Sequence, residues 1–167
     1  IPVHFLRMRP ANFPTVRLAQ LAALLHRSHH LFSKIKEAAT LDAMEKLFSV
    51  TANDYWHYHY NFEEETSCRE KKLGHQMVQN IITNAVIPLL FTFGEINSME
   101  EMKSRAVDFA ISLPPEKNRI TAGFQALGIS NKNAFDSQAL LQLKKEYCNN
   151  KKCLQCGIGS KIMKGLI

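Results

Sequence analysis

Residues 73–92, "LGHQMVQNIITNAVIPLLFT", constrain the fold more than any other stretch of this chain. They are apolar on most sides of a helix, and a helix of that kind has to be covered by other elements. Pro88 lies inside it. A proline within a helix removes one i to i−4 bond and clashes with the preceding turn, so the segment is expected to kink or divide there. Its longest uninterrupted apolar run, near "AVIPLLFTF", falls short of the roughly 18 residues a membrane span needs. The expectation is therefore a central, buried, kinked helix, with no membrane partner.

The rest of the chain supplies the cover. "TVRLAQLAALLH" (15–26) repeats apolar residues at three- and four-residue spacings, and Pro14 stands at its start. Shorter helices are expected over 30–38 and over 41–50, the latter capped by Thr40. Ser98 and Glu101 suggest a capping box opening a helix that Pro114 and Pro115 end. "EKNRITAGFQALG" (116–128) reads as a helix stopped by Gly128, and Asp136 as the cap of "SQALLQLKKEYC". "NDYWHYHYNF" (53–62) alternates, which predicts an extended aromatic segment laid over helices, with Trp56, Tyr58 and Tyr60 packed inward. "EEETSCREKK" (63–72) predicts a mobile, exposed turn. The fold class that follows is all-α, with residues 1–167 as a single domain of about six or seven helices around the 73–92 segment.

The full sequence of 167 residues carries a formal charge of +6, with hydrophobic content of 46% and charged content of 22%. Those values are ordinary for a globular protein, and the basic balance favours acidic partners such as nucleic acid. No secretory leader is visible in "IPVHFLRMRP". Four cysteines, three of them bunched, do not resemble a secreted disulfide framework, so reduced thiols in the cytoplasm, or a metal, are expected.

The strings "RMRPANFPTVRLAQLAALL", "NAVIPLLFTFG", "DSQALLQLKKEYC" and "KKCLQCGIG" together resemble the C-terminal half of the bacterial family called domain of unknown function 2851, with a Bacteroidetes character. That resemblance brings no established activity. It implies a longer parent protein whose N-terminal half would be this chain's partner. The family pattern there has an acidic residue after a Gly-Pro pair and a Glu-x-His strand, similar to a metal-dependent nuclease core. None of those residues is in this chain.

"YCNNKKCLQCGIG" (147–159) spaces Cys148, Cys153 and Cys156 as x4 then x2, with Cys68 far upstream. A Cys-x2-Cys pair can offer two thiolates to one metal, and some DNA-processing nucleases resemble this arrangement, a remote cysteine joining a C-terminal triplet around an iron–sulfur cluster. Cys68, or a histidine such as His75, would be the fourth ligand to zinc or to a cluster. Free buried thiols and a reversible disulfide are the alternatives. His26, His29 and His30 suit a helix C-terminus, while His57 and His59 lack a third ligand at fixed spacing.

Arg7, Arg9 and Arg17, with Asn12, could clamp a phosphate at a helix start. The alternative is that they bond to carbonyls while Asn12 caps. Asn84, Glu116 and Asn118 read as internal polar clips. Lys144, Lys145, Lys151, Lys152, Lys161 and Lys164 make the C-terminal region locally basic, and Lys151 and Lys152 are the candidate phosphate contacts there. No nucleophile triad, glycine-rich phosphate loop or helical pair of carboxylates is present. The chain is thus expected to be a non-catalytic accessory domain of a larger, nucleic-acid-processing protein. A structural or protein-interaction domain without a ligand is the alternative.

Overall fold

The computed structural model describes Arg9 and residues 12–165. Among them the chain is all-α, and strand-like pairing is confined to two isolated bridges, Thr51 with Lys72 and His59 with Glu65. It falls into two compact units, Ile1–Lys103 and Ser104–Ile167.

The first unit begins with α1 (Pro14–Arg27), which the fixed φ of Pro14 starts. Its buried row is Val16, Gln20 and Leu24, whereas Leu18, Leu21 and Leu25 face outward. Next come α2 (Leu31–Glu37) and α3 (Leu41–Phe48). Thr40 caps α3 as expected, its hydroxyl accepting from the Ala43 N–H at 3.2 Å. The other end of α3 is held by Arg27, which donates to the carbonyls of Leu47 (2.6 Å), Ser49 (2.8 Å) and Lys46 (3.2 Å). Those are the acceptors a helix C-terminus leaves open.

Residues 53–62 correct the expectation of an extended segment. Asp54–Tyr58 form a short helix, α4, and none of its residues is buried. Tyr55 and His59, four apart, stack in parallel at 4.0 Å, and His59 Nδ1 lies 2.8 Å from the Tyr55 carbonyl. A pair four residues apart meets only in a helical turn, so this contact outweighs the period-two pattern. Trp56 packs edge-on to Phe62, which is itself exposed.

The connection that follows is exposed from 67 to 70 but ends in an anchor. Lys71 is buried, donating from Nζ to the carbonyls of Arg69 (3.0 Å) and His57 (3.2 Å) and resting 3.8 Å above the Tyr60 ring. Its own carbonyl accepts from the Ala52 N–H and from Gln20 Nε2, both at 3.1 Å.

The long helix α5 (His75–Ile96) is an α segment, a π turn over Ile82–Val86, and a second α segment. The π turn is how the chain absorbs Pro88: the Ile87 N–H reaches back to Ile82, five residues, so the turn widens ahead of the ring. Ile82, Val86 and Leu90 form its buried row. By length and composition α5 is the one helix among the described residues long and apolar enough to cross a membrane. Its exposed side nevertheless carries Gln76, Asn80, Asn84, Thr92 and Glu95, polar groups that lipid would leave poorly satisfied. Asn84 is on that side, donating to the Asn80 carbonyl rather than clipping the interior.

Ser98 does not open the next helix; it closes α5. Its φ is 54°, and the Ser98 N–H bonds the Glu95 carbonyl (3.3 Å) while the Met99 N–H bonds that of Gly94 (2.8 Å). This is the Schellman closure, with serine where glycine is preferred. A Cβ on Gly94 would lie 2.9 Å from Lys103 Cγ and 3.0 Å from the Met99 oxygen, so the corner is tight as well. Ser98→Gly is expected to raise stability by about 1 kcal/mol, read as a higher denaturation midpoint with an unchanged slope. An unchanged or lower midpoint would show that the serine conformation carries no cost.

Helix α6 (Glu100–Ser112) begins in the first unit and continues into the second. The second unit goes on with α7 (Arg119–Ala126), α8 (Ala134–Gln142, extended by a π segment Leu143–Cys148) and α9 (Gly157–Met163). The described residues thus form nine helices against the six or seven expected, the five-residue α4 lying where an extended segment was expected. Asn118 caps α7 in a reciprocal box with Thr121, and Gly128, at φ 80°, closes it. The cap of α8 is Asn133, accepting from the Asp136 N–H (2.9 Å), while Asp136 reaches back to the Lys132 N–H (2.9 Å). Asp136 is therefore the third residue of the helix and not its cap. Ser137, fully buried, accepts from the Glu116 N–H and donates to Asn131 Oδ1, both at 2.8 Å. Thr121 Oγ1 donates to the Glu116 carbonyl (2.9 Å), so the chain is clipped at Glu116, whereas Asn118 serves as a cap and not as an internal clip.

Candidate functional site

Charge separates the two units. The first holds eleven Lys and Arg against eleven Asp and Glu; the second holds ten against four. The whole formal charge of +6 therefore resides in the second unit. Lys144 and Lys145 lie on the π segment of α8, Lys151 and Lys152 in the turn after it, and Lys161 and Lys164 at the end of α9. Among the described residues, Lys145 alone of these six has an acidic partner, Glu146 at 3.8 Å. Lys151 holds φ at 52°, its N–H on the Cys148 carbonyl (3.2 Å), and Lys152 bonds the Tyr147 carbonyl (3.0 Å). The backbone so arranged leaves both side chains exposed.

The cysteine string is a packed turn. Cys153–Gln155 form one turn of 3-10 helix, and α9 folds back over it. A Cβ on Gly159 would stand 2.5 Å from the Cys153 carbonyl oxygen, so this glycine permits an approach no other residue allows. Cys156, the cap residue of α9, is buried, while Cys148, Cys153 and Cys68 are exposed. Cys68 belongs to the first unit, where its hydrogen bond to Tyr58 lifts the phenol above its ordinary range. Among the described residues no three His, Cys, Asp or Glu side chains stand together as a metal site would require.

Of the N-terminal arginines, Arg7 lies outside the described residues. Arg9 is exposed, and its carbonyl accepts from the Asn12 N–H at 2.8 Å. Arg17 is committed internally, donating to Asn12 Oδ1 (2.6 Å) and Gln20 Oε1 (2.9 Å), and burial lowers its pKa. Phe13, not Asn12, occupies the cap position of α1. The histidines do not converge either: His26 and His29 meet edge to face at 6.5 Å, and His30 takes a left-handed conformation ahead of α2.

A cleft of about 560 Å³ opens in the second unit. Ile120, Gly123, Phe124 and Leu127 form one wall, with Arg119 at the start of the same helix; Lys144 and Cys148 form the other. Its walls are mainly apolar, both charged groups are cations, and neither has an acidic partner among the described residues. Arg119 occupies the first position of α7, whose first turn has no acidic residue. A cation there adds to the positive end of the helix dipole instead of offsetting it. The other wall is the π segment of α8, which no proline accounts for, unlike the π turn of α5. Sequence reading passes over this cleft because its two walls are some two dozen residues apart. The signals present are Arg119, with no carboxylate close to it in sequence after Glu116, and the cation-rich "LKKEYC".

A family model matches residues 1–119, and the family is described as protein of unknown function (DUF2851). The matched stretch ends at Arg119, ahead of the six lysines and the cysteine string. No curated protein and no solved structure matches the chain.

Proposed function

The chain belongs to the DUF2851 family of proteins of unknown function, and from that premise we propose that it is a helical accessory module whose C-terminal unit binds nucleic acid. It would act within a larger bacterial protein, beside an N-terminal half that carries any chemistry. The observation that carries this reading is the partition of charge: a neutral first unit and a second unit holding all six net positive charges. Five of the six C-terminal lysines have no acidic partner among the described residues, so their charge is directed to solvent. Such a surface attracts phosphates by releasing condensed counterions, and the interaction weakens steeply with salt. In this reading the cysteine string gives shape to the turn that presents Lys151 and Lys152.

The test is binding of labelled DNA and RNA across a salt series. The expected result is association at low salt, with log affinity falling linearly against log salt. Lys151→Glu, Lys152→Glu and Lys161→Glu combined should lower the slope by about one for each contact removed. Lys34→Glu with Lys72→Glu in the first unit should leave the slope unchanged. Absence of binding at low salt would sink the reading, and so would equal losses from both sets of variants. A domain that only contacts other proteins would give the first of those results.

A further inference from the structure

We propose that the cleft between α7 and α8 receives one unstacked base of a single-stranded nucleic acid, with the flanking phosphates on Arg119 and Lys144. The proposal rests on the nucleic-acid reading above and adds to it a preference for single strands. Three features of the cleft point the same way.

The first is its chemistry. A volume of about 560 Å³ with mainly apolar walls lies in the range of small-molecule sites. Phe124, half-buried, supplies a ring face or edge, and Leu127, 77% exposed, an apolar flank that nothing in its own unit covers. The charged groups in the lining are Arg119 and Lys144, with no carboxylate among them. An apolar slot edged only by cations is complementary to a flat, weakly polar ring carried on an anionic backbone. Base stacking on an aromatic side chain with phosphate contacts on either side is the recurring solution for single strands.

The second is continuity. Lys144 belongs both to the cleft and to the run of lysines that goes on through Lys151 and Lys152. A strand bound at Lys144 is bound at the cleft. Duplex DNA keeps its bases stacked and could use the lysines but not the slot.

The third is the geometry of α8. From Leu143 to Cys148 the helix takes π form, and the Asn149 N–H still reaches back five residues to the Lys144 carbonyl at 2.9 Å. Lys144 and Cys148, four residues apart on this segment, both line the cleft. Single π turns of this kind are frequent at binding sites, and here no proline explains it.

The test uses the full chain and two labelled probes, an oligothymidine of about fifteen nucleotides and a duplex of the same length, read by fluorescence anisotropy at low salt. Phe124→Leu should weaken the single strand about 5- to 150-fold, the range for losing one base–aromatic stack. Phe124→Tyr, which keeps the ring, should restore it. Duplex affinity and the salt slope should change little in either variant. An independent readout avoids mutating the cleft at all. In a Cys68→Ser, Cys153→Ser background, Cys148 is the exposed thiol, and saturating oligothymidine should slow its alkylation while the duplex does not.

The outcomes separate. If wild type binds neither probe, the nucleic-acid reading fails and the cleft proposal with it. If it binds both equally, and lysine reversal weakens them while Phe124→Leu does not, only the cleft proposal is overturned. If Phe124→Leu proves unfolded, the alkylation result decides: Cys148 left unprotected by bound oligothymidine overturns the proposal.

Discussion

Gly159→Ala is expected to unseat α9 and expose Cys156. The added methyl would stand 2.5 Å from the Cys153 carbonyl oxygen and 3.1 Å from its carbonyl carbon and Cα. All three are backbone atoms of a hydrogen-bonded turn and cannot yield as the end of a side chain would. Overpacking of this kind costs about 1–3 kcal/mol, sometimes more. The C-terminal turn is small, so that cost is enough to open it locally while the rest of the fold stands. Thiol titration reads the result. In the native chain Cys68, Cys148 and Cys153 are exposed and Cys156 is buried, so three thiols should react quickly and one slowly. In Gly159→Ala all four should react quickly. Gly157→Ala is the control, because nothing lies within 4 Å of a Cβ there, and it should leave Cys156 protected. A protected Cys156 in Gly159→Ala would show that the turn can relax and that the glycine is incidental.

The other large effect is expected at Lys71. Its ammonium sits against the carbonyls of Arg69 and His57 and the face of Tyr60, with the side chain buried and no carboxylate of the described residues in hydrogen-bonding reach. Hydrogen bonds from a charged donor contribute about 1.5–3 kcal/mol, and a desolvated cation over a ring about 2 more, offset by the cost of burying the charge. Lys71→Met keeps the buried stem and removes the head, and should cost about 1.5–3 kcal/mol. Lys71→Ala removes the stem too and should cost about 2–5 kcal/mol. Denaturant titration of the two variants separates head from stem. If Lys71→Met is as stable as wild type, the ammonium contributes nothing net, and the clip is apolar packing alone.

These two positions show where sequence reading stops. Lys71 stands in "EEETSCREKK", a run whose composition says solvent, and charge-dense runs are ordinarily exposed. What overrides composition is a cage of two carbonyls and a ring, assembled from residues 57, 60 and 69 only after the chain has doubled back at the Thr51–Lys72 bridge. Gly159 is similar. Its neighbourhood announced itself through the cysteines, yet the residue under the tightest steric constraint is the glycine, and the atom it must avoid belongs to position 153.

Where the physics is local, the sequence suffices. Pro14 starts α1, Thr40 caps α3 and Gly128 closes α7. Each depends on a hydrogen bond or a φ within a few residues. The all-α class follows from the repeated three- and four-residue apolar period, which any half-buried helix needs. The errors were local too, but between near-equal choices. Ser98 and Glu101 fit a capping box, and the chain instead uses Ser98 to close the preceding helix, because the approach of Gly94 to Met102 and Lys103 holds that corner. The aromatic alternation over 53–62 fitted an extended segment, and a helical turn with a Tyr55–His59 stack is what forms.

The candidate site divides the same way. The lysines were legible because they are consecutive in the chain, and so was the sign of the charge. The neutrality of the first unit and the concentration of charge in the second follow from the sequence only once the structure has drawn the boundary at 103 and 104. The cleft was not legible at all. Arg119 and Lys144 become neighbours of one cavity because Gly128 turns the chain and Asn133 starts α8 beside α7, and no local pattern encodes a distance between residues so far apart. The helical class, the Thr40 cap, the Gly128 stop and the net charge came from the sequence by itself, since short-range sterics and composition determine them. The buried ammonium, the glycine under Cys153 and the cation-edged slot were decided only by the tertiary structure, because each depends on which distant backbone atoms arrive at the same place.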